Sequence, residues 1–191
     1  MTASKPRPNP FAAPLDVRGM LTTSPPKLVH VLPGLLEGTA ALLAASGGTG
    51  KTTLLVQLAF AVASGGSLCD GLFDDVHPDC ARSRIPGKVV MVAAEESSEV
   101  LWHRMHAVFQ QLAHADLSMF DKPTPKELLE LLHANVQIHA LAGKSRALLV
   151  DESGDPTDSL DQLIEASQGA KLVLLDPIRQ FDLARESRIP C

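Results

Sequence analysis

The 191 residues, 45% hydrophobic and 20% charged, suffice for one well-packed domain and are too few for two of ordinary size. A formal net charge of −5 and a pI near 5.8 exclude coating of nucleic acid or of an anionic membrane by bulk charge, leaving only a local basic groove open. Three cysteines (Cys69, Cys80, Cys191), odd in number and without a CxxC pair, exclude a disulfide framework and suit a reducing cytosol.

Half of the 14 prolines fall in the first 33 residues, where a fixed φ and a missing N–H oppose both helix and central strand. Residues 1–27 are therefore predicted to be a largely disordered leader, without the apolar segment of a signal peptide. From Leu28 the text changes. "LVHVLPGLL" predicts a short extended segment broken by a Pro-Gly turn, and "TAALLAAS" a buried strand entering a glycine-rich loop. A helix follows from about Thr52 to Ala63, ending at Gly65-Gly66. Its most apolar part, Leu54 to Ala63, is too short to span a bilayer and is interrupted by Gln57, so a soluble cytoplasmic protein is expected.

Residues 67–87 predict a long surface loop. "KVVMVAA" is a continuous apolar run, expected as a strand buried on both faces, and the helix behind it carries Trp102, Met105 and Phe109 on one face. After the break "DKPTP" come a helix through "KELLELLHA", a strand "VQIHAL", a less certain strand "RALLV", a helix "DSLDQLIEAS" and a strand "KLVLLD". Strands alternating with helices predict an α/β fold with a mostly parallel sheet.

The segment Ala45-Ser46-Gly47-Gly48-Thr49-Gly50-Lys51-Thr52-Thr53 carries the clearest chemistry. A strand that ends in a glycine turn and feeds a helix aims several backbone N–H groups at one point, at the positive end of the helix dipole, which suits a phosphate chain. Lys51 is expected to reach the β- and γ-phosphates of ATP and the Thr52 hydroxyl to sit on Mg²⁺. The pattern is GxxxxGK[ST] with Ala45 in place of the first glycine. Partition ATPases also write GGxGKTT, but with a lysine where Ser46 stands here and with less chain before the loop.

The span from "VLPGLLEGTAALLAASGGTGKTTLLVQLA" through "GKVVMVAAEESSEVLWHRMHAV" to "KLVLLDPIRQFD" resembles the RecA-like ATPases of the RepA type, the hexameric plasmid replicative helicases, and their broader AAA relatives. The likeness covers about residues 28–182. Its specific parts are the Leu-Pro-Gly segment, the acid pair ending the second strand and the His-Arg-x-His helix behind it. It implies a RecA-like P-loop NTPase core, ATP hydrolysis with Mg²⁺, action on single-stranded DNA and assembly into a hexameric ring.

By the same resemblance the catalytic glutamate is Glu95, with Glu96 its nearest competitor. A carboxylate at the C-terminal edge of a strand suits a base for the water that attacks the γ-phosphate. Two runs compete for the aspartate that holds Mg²⁺ through water: Asp176 in "KLVLLDP", which matches the family's Leu-Asp-x-x-Arg-x-Phe, and Asp151 in "RALLVDE", which precedes the turn-rich "SGDPTDS". Asp176 is preferred. Arg104 matches the family arginine and is expected to stack on adenine; the alternative is a solvated helix arginine. Glu99, His103 and His106 share a helical face, and Cys69, His77 and Cys80 share a loop, but neither set makes a convincing metal site.

The resemblance also implies a further strand after Asp176, inserted between the loop strand and the aspartate strand, and an arginine finger beyond it. The sequence runs about fifteen residues past Asp176, and "ARESRIPC" does not read as a strand. The expectation is a sheet incomplete at its C-terminal end, with 183–191 a truncated tail, and weak or no ATPase activity. Three functions remain open: a RepA-type helicase motor, a RecA-like regulatory or repair ATPase without helicase activity, and a nucleotide-binding fragment without turnover.

Overall fold

The computed structural model describes residues 13–66, 85–114, 123–144 and 148–181. Within the proline-rich leader stands one short helix, α1 (Val17–Thr22), capped by Asp16, whose carboxylate accepts from Gly19 N–H at 3.0 Å. The helix fits between Pro14 and Pro25, where no proline ring blocks the first helical turns. The strands β1 (His30–Leu32) and β2 (Leu35–Leu36) then form an antiparallel hairpin across Pro33-Gly34, with Gly34 at φ 77°. Proline fixes the first corner of such a turn and glycine supplies the left-handed second one, as the sequence predicted.

The central sheet is parallel, with order β4-β3-β5 and β3 (Val89–Ala93) in the middle. All five residues of β3 are buried, the burial expected of a strand covered on both faces. On one face Val89, Met91 and Ala93 pack into the larger core with α2 (Lys51–Ser64), α3 (Ser98–His114) and α4 (Pro125–Asn135). On the other, Val90 and Val92 meet Phe181, with Leu149 and Leu163 of the α5 side (α5, Asp158–Ala166) packed around them. The flanking strands β4 (Val136–Ala140) and β5 (Leu172–Asp176) run in register with β3, so that Ala93 lies opposite both Ala140 and Asp176. This brings the C-terminal ends of three strands to one edge, where open α/β sheets bind ligands.

Three expectations require correction. The run "TAALLAAS" is not a buried strand: residues 39–46 carry no ladder partner among the described residues, and Leu42 and Leu43 are 76% and 45% exposed. An apolar run becomes a strand only where a neighbour takes up its N–H and C=O groups, and the outer edge of β5 also has no described partner. "RALLV" contributes no strand in its described part; Val150 makes a single antiparallel bridge to Pro156. On α3 Met105 and Phe109 pack against the core as expected, together with Leu101, Val108 and Leu112, while Trp102, expected on the same face, stays 74% exposed. Leu101 and Trp102 are neighbours at the edge of one helical stripe, and packing against α2 and α4 turns Leu101 inward.

Helix α4 starts in a full capping box. The Glu127 N–H donates to Thr124 Oγ1, and the Thr124 N–H and hydroxyl both donate to Glu127 Oε2 at 2.8 Å. Replacing Thr124 by alanine is expected to cost about 1 kcal/mol, read as a lower denaturation midpoint at unchanged slope. The Thr124 backbone and hydroxyl donors hold the Glu127 carboxyl below its ordinary value. Its contribution to stability is therefore complete above the unfolded-state value and is lost as pH falls through the folded one.

Candidate functional site

The loop before α2 is built by glycine conformation. Gly48 and Gly50 adopt φ 78° and 87°, a region that residues with a Cβ rarely enter, and Gly50 is the N-cap of α2 with no side chain capping the helix. Open space surrounds Gly47, Gly48 and Gly50: an added Cβ at any of them would meet no atom within 4 Å. Lys51 folds back over this loop, its Nζ donating to the carbonyls of Ala45 (3.0 Å) and Ser46 (3.1 Å). The Thr49 hydroxyl also donates to Ser46 O, at 2.8 Å. Residues 45–50 are all exposed. A phosphate oxygen carries charge and a peptide carbonyl does not, so an incoming phosphate chain offers Lys51 the stronger acceptor.

In the first turn of α2, the Thr52 hydroxyl donates to Asp176 Oδ2 at 2.6 Å. These residues are 124 apart in sequence and meet because β5 ends level with β3 while α2 packs across the sheet. A hydroxyl beside a carboxylate is the hard oxygen donor set that suits Mg²⁺. Asp151, the competing aspartate, is spent elsewhere: its Oδ1 accepts from the backbone N–H groups of Ser153 (2.8 Å) and Asp155 (2.9 Å), closing a turn.

The acid pair lies just beyond β3. Glu95 is exposed, and the residue before it, Ala94, donates its N–H to the Asp176 carbonyl at 2.8 Å. Glu96 is gripped by Arg104 of α3, whose Nε and Nη2 lie 2.7 and 2.5 Å from the two carboxylate oxygens. The third guanidinium nitrogen, Nη1, donates to Thr53 Oγ1 at 2.9 Å. Arg104 is thus not a free solvated arginine. Its edge is used by these bonds.

A family model described as AAA domain matches residues 5–188. The chain belongs to this family. As an AAA domain it is a nucleotide-binding P-loop protein of the ATPase type, with the α/β fold of P-loop NTPases: a parallel sheet and flanking helices. No helix among the described residues of this AAA domain is long and apolar enough to cross a membrane.

No group of three or more His, Cys, Asp or Glu side chains placed to hold a metal ion occurs among the described residues. Ser97 engages the Glu99 carboxyl and lowers its pKa. Cys69, His77 and Cys80 lie outside the described residues. What the sequence reading missed in this AAA domain is the bond network Glu96–Arg104–Thr53. The spacing of Glu96 and Arg104 hints at it, as both fall near the start of one helix, but Thr53 joins across 51 positions and only packing reveals it.

Proposed function

We propose that this AAA domain binds Mg-ATP at loop 45–52 and hydrolyses it, as the RecA-like motor of a RepA-type replicative helicase acting on single-stranded DNA in plasmid- or phage-type replication, as a hexameric ring in the cytoplasm. The observation that carries the nucleotide chemistry is the 2.6 Å contact of Thr52 with Asp176 beside the lysine loop. The helicase assignment is supported by the motif resemblance: Leu-Pro-Gly before the loop, the Glu95-Glu96 pair and the His-Arg-x-His helix.

In this reading the amides of residues 46–52 and the Lys51 ammonium hold the phosphates at the N-terminus of α2. Thr52 and Asp176 would hold Mg²⁺. The ion would supply positive charge against the phosphate oxygens. Glu95 accepts a proton from the water as its oxygen attacks the γ-phosphorus, and Lys51 balances the charge that builds on the departing diphosphate. The reading of Glu95 is supported by its neighbour Ala94, whose N–H bonds the Asp176 carbonyl.

The test is steady-state ATP hydrolysis with and without single-stranded DNA. Turnover stimulated by DNA supports the motor. Turnover indifferent to DNA points to a regulatory or repair ATPase, and tight ATP binding without turnover to a nucleotide-binding role alone. In the same assay Asp176→Asn is expected to raise the Mg²⁺ requirement about 10- to 100-fold, the usual effect of losing an outer-shell carboxylate. Asp151→Asn should leave it unchanged, because that side chain serves a turn. The opposite ranking over a Mg²⁺ titration moves the metal site to Asp151.

A further inference from the structure

The geometry points to Arg104 as a positioning residue that, with Glu96 and Thr53, fixes the backbone carrying Glu95 to the nucleotide loop; this rests on the reading of Glu95 as the base. Glu95 follows the last strand residue, Ala93, by two positions, and anchors on either side help to fix the backbone of such a segment. One anchor is the 2.8 Å bond from Ala94 N–H to the carbonyl of Asp176. The other is the Glu96 side chain, both of whose oxygens are taken by one guanidinium.

That guanidinium does not stop at Glu96. Its remaining nitrogen reaches Thr53, in the first turn of α2 and next to Thr52. Glu95 is thereby flanked by two ties, one to the aspartate strand and one to the phosphate loop. Any shift of the first turn of α2 is transmitted through Thr53 and Arg104 to the residue beside the base. The fork shape of arginine is what allows this: three nitrogens in one plane serve three acceptor oxygens on two residues far apart in sequence, which a lysine ammonium on a flexible stem does not do with the same fixed direction. The pair is also partly shielded, with side-chain exposures of 35% for Arg104 and 19% for Glu96, so solvent weakens it less than a surface pair.

A positioning role separates turnover from binding. Arg104→Gln and Glu96→Gln are each expected to lower kcat about 10- to 100-fold, the scale of a misplaced catalytic group, while the Kd of a labelled ATP analogue stays within about threefold. The double variant should lose no more than the worse single one, because both changes break the same tie. Arg104→Lys, which keeps the charge without the fork, should recover only a small part of the rate. Each variant is compared with the parent by thermal unfolding to establish that it is folded.

A Kd that rises in step with the fall in kcat would make Arg104 a nucleotide contact and overturn the proposal, as would losses that multiply in the double variant. An independent readout covers the case of a parent without turnover, which sinks the ATPase reading itself. A nitroxide on Glu95→Cys, with Cys69, Cys80 and Cys191 changed to serine, should be held in the parent background and loosened by Arg104→Gln. Unchanged nitroxide mobility would show that the tie does not position residue 95.

Discussion

Lys51→Ala is expected to weaken ATP binding about 10- to 100-fold, the equivalent of one lost charge-assisted contact of ~1.5–3 kcal/mol. Turnover should fall further, because the ammonium faces charge that grows as the diphosphate leaves; removing one such preorganised donor typically costs ~10²–10³ in kcat. The starting geometry favours a clean result. Among the described residues the Lys51 ammonium bonds two loop carbonyls, Ala45 and Ser46, both exposed, so its removal strips no described partner from the buried core. Titrating a labelled ATP analogue against parent and variant measures the first effect, and single-turnover hydrolysis at saturating nucleotide the second. Equal affinities and equal rates would remove the loop from the nucleotide site.

Glu95→Gln should do the reverse, keeping ATP binding and abolishing most hydrolysis. General-base assistance is worth ~10²–10⁴ in rate, and an amide of the same shape cannot take the proton. The neighbouring Glu96→Gln provides the internal comparison. Both oxygens of Glu96 are occupied by Arg104, so this carboxylate is engaged in holding structure and is not presented to a water. Its loss should slow turnover through misplacement, by less than the loss of Glu95. If Glu96→Gln abolishes turnover and Glu95→Gln does not, the base is Glu96 and the bidentate pair must open during the reaction.

Local chemistry made much of the molecule legible in advance. Pro33-Gly34 announced a hairpin turn because proline fixes one corner and glycine tolerates the other. The length of α2 could be read from its pattern, since Gly50 and Gly65 both adopt the left-handed conformation at its ends. The unbroken apolar run of β3 signalled burial on both faces, and it is buried on both. "SGDPTDS" after Asp151 read as a turn, and the Asp151 carboxylate closes one.

Where a residue's state depends on a partner distant in sequence, the pattern fell short. "TAALLAAS" and "KLVLLD" look alike as apolar runs, yet one lies exposed without a ladder among the described residues and the other pairs in register with β3. Trp102 and Leu101 fit the same helical period, and only the packing of α3 on α2 and α4 turned Leu101 inward. The reach of Arg104 to Thr53 could not be read from spacing, because it needs α2 and α3 side by side.

The sequence by itself determined the parts list: a glycine loop with its lysine, two acids after a buried strand, and an aspartate ending another. These depend on backbone conformation and on contacts between near neighbours, which a few adjacent residues specify. The tertiary structure alone decided that Thr52 meets Asp176, that Glu96 is committed to Arg104, and that the run before the loop stays unpaired among the described residues. Hydrogen bonds and burial between distant segments exist only when the fold brings both partners to the same place, and no local pattern encodes that meeting.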